Sequence, residues 1–239
     1  MTIAYCVHEG VASITLDRPE ARNAVNLAMC DGLIDCAKRA SADASVRVVL
    51  VRANGPAFCA GADLKERQGM DEAQVRERRA RAFAAYAALE ALPMPSIALV
   101  HGSAVGSGCE IAAACDFIVA TPAASFRTPE ALRGTVGATQ RLPRVLGKRL
   151  AKDLMFTGRV LTAQEAMLGG LVARIVTPED LEQVIQDICK GIVTAPPHAV
   201  RLAKRAIDRG VELDPQGALA AELEAIEEQL ASGRWMGKR

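Results

Sequence analysis

Short, β-branched segments alternate with longer helical segments over most of the chain, and this alternation constrains the fold more than any other feature. Five segments rich in Val, Ile and Leu are predicted strands: residues 11–16, 46–51, 96–100, 116–120 and 172–176. Residues 26–40, 71–92 and 109–114 are predicted helices, and Pro93 ends the second of them. Strands interleaved with helices predict an α/β protein with much parallel pairing.

Beyond Pro178 the sequence pattern is helical only. Three segments carry Leu, Ile, Val and Ala at three- and four-residue spacing: residues 179–193, 198–209 and 216–231. We therefore predict an α/β core over residues 1–177 and a helical region over residues 178–239. Such a region is typical of packing on the core or on a neighbouring subunit. The polar, basic segment 232–239 is expected to be disordered.

The balance of charges argues against a general polyanion binder. The chain has 29 Lys and Arg residues and 28 Asp and Glu residues, so its formal net charge is +1. Nucleic-acid binders usually show a basic excess, so no nucleic-acid partner is expected. The arginines of the second helix (Arg76, Arg78, Arg79 and Arg81) are interpreted first as a solvated face, with contact to CoA phosphates or RNA as the alternative.

Cysteine usage and the lack of long apolar segments favour a cytoplasmic protein with no membrane partner. The chain has 7 cysteines, an odd number, and no Cys-x-x-Cys pair, which is typical of a reducing compartment. The N-terminal segment lacks the pattern of a signal peptide, and no apolar run approaches the ~20 residues that span a bilayer. His8, His101 and His198 show no metal-ligand spacing, so no metal site is expected.

Two glycine-containing loops have the composition of sites that bind an anionic oxygen. The segment 58–64 has small residues at positions 60, 61 and 62, so a ligand can approach the main chain closely. A tight loop before a helix, with Asp63 as its cap, is the alternative interpretation. The segment 101–110 leaves a strand, turns on glycines and enters a helix, where the first N–H groups are unpaired.

Ser107, in the second loop, is interpreted as a backbone donor. A nucleophile elbow needs Gly at position 105, where this chain has Val, and no His base is assigned nearby. The dinucleotide-binding pattern fails at Ile111, and no Gly-Lys-Ser/Thr of a phosphate loop occurs. Glu110, in the first helical turn, is either a helix-dipole partner or an acid/base group beside the donors. Glu130, which follows Pro129, has the same two interpretations.

The order and separation of short motifs resemble the enoyl-CoA hydratase/isomerase (crotonase) superfamily over nearly the whole chain. The matching segments are residues 17–20, 23–26, 58–64, 106–110, 115–116, 129–130, 157–158, 163–166 and 170–172. The resemblance implies a ClpP/crotonase-like spiral of ββα units with a C-terminal helical trimerisation region. It also implies assembly as a homotrimer or a dimer of trimers.

The resemblance further implies a site that binds an acyl-CoA thioester. The thioester oxygen would lie between the main-chain N–H groups of Ala60 and Ser107, and Glu110 and Glu130 would match the two glutamates of the hydratases. The implied CoA and substrate groove comprises Arg22, Ala24, Ala60, Gly61, Ala62, Asp63 and Leu64. Coenzyme A is part of the substrate, so no separate metal or redox cofactor is implied.

The function implied is hydration of a 2-enoyl-CoA through an oxyanion-stabilised enolate, a lyase reaction of fatty-acid metabolism. The alternatives are another crotonase-type isomerisation or decarboxylation, and a non-catalytic homologue that binds acyl-CoA or RNA. Between Glu130 and Thr139 the chain is shorter than the usual family loop and lacks a Pro-Gly pair, which leaves the acyl specificity open. The segment 233–237 differs from the usual family ending, which often contributes to CoA binding.

Overall fold

The computed structural model describes residues 2–233 as two sheets and their connecting helices. The strands are β1 (Ile3–His8), β2 (Val11–Leu16), β3 (Val48–Ala53), β4 (Ser96–Val100), β5 (Ser103–Val105), β6 (Phe117–Ala120), β7 (Ser125–Arg127), β8 (Leu161–Thr162) and β9 (Arg174–Ile175). The helices are α1 (Leu27–Ala42), α2 (Glu72–Glu90), α3 (Ser107–Ala113), α4 (Arg141–Thr157), α5 (Ala163–Leu168), α6 (Leu181–Thr194), α7 (Pro197–Gly210) and α8 (Pro215–Ala231).

The larger sheet has the strand order β1-β2-β3-β4-β6-β9, and only β1 and β2 pair in antiparallel fashion among these neighbours. The smaller sheet has the order β5-β7-β8, with β5 parallel to β7. The units β4–β5–α3 and β6–β7–α4 each send one strand to each sheet, which confirms the expected spiral of ββα units. Because Val105 pairs with Arg127, the residues that follow β5 and β7 leave the smaller sheet side by side.

The central elements follow from their sequence pattern. The first four residues of β3 are buried in succession, as expected for a strand covered on both faces. Helix α1 begins at Asn26, whose side chain accepts the N–H of Met29, and α2 begins with a capping box between Asp71 and Gln74. These caps explain why both helices begin close to the predicted positions.

The sequence pattern missed β1, β5, β7, β8, α4 and α5. Strands β5 and β7 have three residues each, too few for alternation to be recognised. Helix α4 carries Pro143 in its first turn and Gly147 with a φ of 71°, so its helical pattern is interrupted. Its side chains Leu142 and Leu154 are nevertheless buried, so α4 belongs to the core.

The C-terminal helices divide into two parts. Helix α6 packs on the larger sheet through Ile185 and Cys189, which join an apolar cluster with side chains of β3, β4 and β6. Helices α7 and α8 pack against each other, and Lys204 of α7 forms an ion pair with Asp116 before β6. The last strand, β9, ends before the expected boundary after residue 177, and α6 beyond that boundary shares the packing of the core.

Within residues 2–233, no helix has the combination of length and apolar composition that would let it cross a bilayer. The expected disorder of the C-terminal segment and its atypical family ending concern mainly residues 234–239, which lie outside the described residues.

Candidate active site

The loop that follows β3 is held by backbone pairing on two sides. On one side, Cys59 pairs with Ala104 of β5 as in a parallel sheet. On the other side, Gly61 accepts the N–H of Val25 at 2.7 Å, and Asp63 donates its N–H to the carbonyl of Val25 at 2.8 Å. These bonds fix the direction of each main-chain N–H in the loop.

The structure corrects the expected oxyanion donor at Ala60. The Ala60 N–H donates to the carbonyl oxygen of Arg22 at 2.9 Å, so it is already used within the fold. Two residues further on, the N–H of Ala62 has no backbone acceptor among the described residues. Ala62 also lines a small cavity beside Ser107, whereas Ala60 does not. Ala62, and not Ala60, therefore has an N–H available to a ligand.

The turn from β5 into α3 forms a second wall of this cavity. Gly106 has a φ of 51°, and a Cβ at this position would collide with Oε1 of Glu130. Ser107 begins α3, so its N–H has no acceptor in a preceding helical turn. A Cβ at Gly108 would lie 2.6 Å from the carbonyl oxygen of Cys59, so α3 packs directly on the first loop.

Ser107 and Tyr86 of α2 line the same cavity. Tyr86 is buried, and this burial raises the pKa of its phenol. Tyr86 therefore stays neutral at physiological pH. Among the described residues, no histidine lines this cavity as a base for the Ser107 hydroxyl, which supports the interpretation of Ser107 as a backbone donor.

Glu110, in the first turn of α3, has a buried side chain that is only 5% exposed. Its Oε2 accepts a hydrogen bond from Nη1 of Arg141 at 2.8 Å. Nη2 of Arg141 donates to Oε2 of Glu90 at 2.6 Å. The guanidinium offsets part of the cost of burying the Glu110 charge.

Glu130 is brought to the same cavity by the pairing of β5 with β7. Its Oε1 lies against Gly106 and its Cγ faces Gly137, while Oε2 is buried and has no partner in the described part of the chain. Burial raises the pKa of Glu130, and the charge of Glu110 raises it further. A carboxyl in such surroundings favours its protonated form more than an exposed one does.

Two adjoining cavities meet at these residues. The inner cavity has a volume of about 90 Å³ and is lined by both loops, both carboxyls, Tyr86 and part of α2. The outer cavity has a volume of about 610 Å³. Four residues line both cavities: Ala62, Arg67, Glu130 and Thr135. The shortened segment after Glu130 supplies residues 135–138 of the inner wall.

The residues of the expected CoA groove fall into two groups. Four of them line the outer cavity: Ala60, Gly61, Ala62 and Leu64. Arg22, Ala24 and Asp63 instead hold the loop in place. Arg18 donates to the carbonyl of Ala24 at 2.6 Å and pairs with Asp63 at 3.1 Å. Asp63 also accepts the N–H of Lys65, so its interpretation as a cap agrees with the structure.

Helix α2 contributes residues that the sequence pattern missed. The expectation of a solvated arginine face is wrong for Arg78, whose side chain is only 3% exposed. Arg78 pairs with Glu66 at 2.6 Å and donates to the carbonyl of Val25. Position 78 lies at helical spacing from the buried Ala82 and Ala85, and this spacing could have indicated its burial. Arg78 thereby ties α2 to the loop that carries Ala62.

The fold, with unpaired N–H groups and two carboxyls around one cavity, defines a crotonase-type α/β protein. The family model described as "Enoyl-CoA hydratase/isomerase" matches residues 7–235. The chain therefore belongs to the enoyl-CoA hydratase/isomerase family.

Relatives and solved structures agree with this assignment. The "Enoyl-CoA hydratase domain-containing protein 2, mitochondrial" of Homo sapiens is 41% identical, over 90% of this chain and 76% of that protein. The "Short-chain-enoyl-CoA hydratase" of Clostridium acetobutylicum is 39% identical, over 91% of this chain and 85% of that protein. The crystal structure of the enoyl-CoA hydratase from Bacillus anthracis has a TM-score of 0.91 and 39% identity, and the match covers 95% of this chain and 90% of that one.

Proposed function

We propose that the chain is an enoyl-CoA hydratase that adds water across the double bond of a short 2-enoyl-CoA thioester. The observation that carries the proposal is that Glu110 and Glu130 line one small cavity together with Ala62 and Ser107. Hydration requires proton transfers and stabilisation of an enolate oxygen, and these four residues supply both. The Clostridium acetobutylicum relative, which is named a short-chain hydratase, supports the same reaction.

In the proposed reaction, the thioester oxygen accepts hydrogen bonds from the N–H groups of Ala62 and Ser107. Attack of water at C3 moves electron density onto this oxygen, so the donors bind the enolate more strongly than the substrate. Removal of one such donor costs roughly 3 kcal/mol in other enzymes. The backbone holds both groups in place, and little reorganisation is needed during the reaction.

The two carboxyls divide the proton transfers between them. The carboxylate of Glu110 takes a proton from the water whose oxygen bonds to C3. Glu130, in its protonated form, gives its proton to C2 of the enolate. The product is a 3-hydroxyacyl thioester, and transfer of one proton from Glu110 back to Glu130 restores the starting state. The reaction adds water and moves protons without any redox step, so the proposed reaction needs no cofactor beyond the CoA of the substrate.

The size of the inner cavity favours a short acyl chain. Its volume of about 90 Å³ is much smaller than that of the outer cavity, about 610 Å³. Phe83, Val136 and Ala138 also line it. A chain of a few carbons fits this space more easily than a longer one.

An absorbance assay with crotonyl-CoA tests the proposal. We expect loss of the enone absorbance, and a kcat/KM for decenoyl-CoA that is lower by roughly tenfold or more, because the extra methylenes do not fit. A matched assay with a 3-enoyl-CoA separates hydration from isomerisation. Conversion of the 3-enoyl-CoA without hydration of crotonyl-CoA would favour an isomerase, and binding without turnover would favour a non-catalytic homologue.

We also propose that α7 and α8 mediate assembly into a homotrimer or a dimer of trimers. They border an apolar groove of about 810 Å³, beside which Ile207 and Val211 are largely exposed. Exposed apolar patches of this kind mark interaction surfaces. Light scattering is expected to give three or six times the monomer mass, and Ile207→Glu is expected to lower it. A monomeric wild-type chain would contradict the proposal.

A further inference from the structure

Arg141 is a partly buried cation beside the site, and the proposed proton transfers assign it no role. It is the first residue of α4, and its side chain is 12% exposed. Its two Nη atoms bind Glu110 of α3 and Glu90 at the end of α2. Its guanidinium carbon lies 6.0 Å from the centroid of the Tyr86 ring. One side chain thus connects three helices next to the inner cavity.

Arg141 engages only one oxygen of the Glu110 carboxylate. Its Nη1 binds Oε2, and no donor to Oε1 is seen among residues 2–233. Glu110 itself lines the inner cavity. A carboxylate whose one oxygen is bound to a guanidinium presents the other oxygen in a defined direction. Glu130 has no comparable partner, since its buried Oε2 is unpaired in the described chain.

We propose that Arg141 is a positioning residue for hydration: it directs the free oxygen of Glu110 toward the attacking water. Glu90 modulates this effect because it shares the guanidinium. The inference rests on the proposed function, in which Glu110 accepts the proton of water.

Arg141 is the cation best placed to act on Glu110. The other titratable and charged groups that line the cavity or adjoin Glu110 are Arg67, Arg78, Arg79, Tyr86, Cys109 and Glu130. Burial raises the pKa of both Tyr86 and Cys109, so both stay neutral through the neutral range. Arg78 pairs with Glu66, and Arg79 donates to the carbonyl of Val136. The guanidinium of Arg141, in contrast, binds Glu110 directly.

The first test is Arg141→Met, assayed with crotonyl-CoA. We expect kcat to fall by roughly 10–100-fold, as on loss of a supporting partner in other sites, while KM stays within about twofold. A fall in kcat without a change in KM separates a misdirected carboxylate from a general loss of the fold. Arg141→Lys keeps the charge but cannot bind Glu110 and Glu90 through two Nη atoms, so it should recover part of kcat.

Glu90→Gln provides a milder variant of the same contact. Removal of this carboxylate leaves Nη2 of Arg141 without its charged partner, so kcat should fall by less than in Arg141→Met, with KM unchanged. The Glu90 side chain is 54% exposed, so the variant is expected to fold. Arg159→Met is the matched control. Arg159 also binds two carboxylates, those of Asp153 and Glu165, but neither carboxylate lines the inner cavity, so kcat should stay unchanged.

The outcomes separate the inference from the proposed function. A wild-type chain that hydrates no enoyl-CoA overturns both. An active wild type overturns the inference alone if Arg141→Met keeps its kcat and only its thermal stability falls. If Arg141→Met does not fold, Glu90→Gln decides: an unchanged kcat overturns the positioning role.

Discussion

Glu130→Gln is expected to lower kcat for crotonyl-CoA hydration by about 10²–10⁴-fold, the usual contribution of a positioned acid or base. Gln nearly matches the volume of Glu but has no acidic proton to give to C2. Burial and the Glu110 charge raise the pKa of Glu130, so the wild-type residue is protonated up to a higher pH than an exposed Glu. The wild-type rate should therefore fall as the pH rises through this raised pKa. The kcat profile against pH measures this fall in rate at rising pH. The fall should be absent from the residual activity of the variant.

The controls for this prediction use the second carboxyl and a distant one. Glu110→Gln should cost a similar factor, and the double variant should cost little more than either single one, because the two groups act as a unit. Glu179→Gln, at an exposed position beyond the core, should leave kcat unchanged. Full activity in Glu130→Gln would contradict the division of proton transfers between two carboxyls.

The placement of Glu130 shows where local sequence patterns stop being sufficient. Ser107 and Glu110 could be predicted from the residues themselves, because a glycine turn into a helix fixes both within a few positions. Glu130 lies on a separate segment and reaches Gly106 only because β5 and β7 pair, and the sequence pattern revealed neither strand. The resemblance to a family identified Glu130 as a candidate residue. The pairing of β5 with β7 explains why its side chain reaches the cavity.

The shortened segment after Glu130 keeps contacts that support this residue. The N–H of Thr135 donates to the main-chain oxygen of Glu130 at 2.9 Å, and Gly137 faces its Cγ. A side chain at Gly137 would crowd that Cγ, since a Cβ there would lie 3.1 Å from it. The shorter connection thus still forms a wall around the carboxyl, and it contributes to the small size of the inner cavity.

The ion pairs of the supporting arginines Arg141 and Arg78 also could not be predicted from local sequence patterns. Arg141 meets Glu110 and Glu90, and Arg78 meets Glu66, each across a long stretch of chain. A charged residue in a helix is usually solvated, so only the packed structure identifies the partners that permit its burial. The same limit explains the error at Ala60, whose N–H is used by the carbonyl of Arg22.

Replacement of the Ala62 N–H by an ester oxygen is expected to lower kcat by about 10²–10³-fold, as on removal of one oxyanion donor. Incorporation of L-lactic acid at position 62 makes this change and retains the methyl side chain. The lost N–H has no backbone acceptor in the described fold, so the fall in thermal unfolding temperature should be limited to the effect of the weaker Gly61 carbonyl, which becomes an ester and accepts the N–H of Val25. The measurement is kcat for crotonyl-CoA beside a melting curve of the same sample.

L-Lactic acid at position 60 is the matched control, because it makes the same chemical change two residues away. The carbonyl before the ester, that of Cys59, also accepts an N–H, so both variants weaken one acceptor. At position 60 the lost N–H is in addition the one that donates to Arg22, so folding stability should fall by about 1 kcal/mol more than at position 62, with a small change in kcat. The opposite pattern, with kcat lost at position 60 and kept at position 62, would restore Ala60 as the donor. It would also mean that the loop changes its hydrogen bonds when substrate binds, because the Ala60 N–H can reach a thioester only after leaving the carbonyl of Arg22.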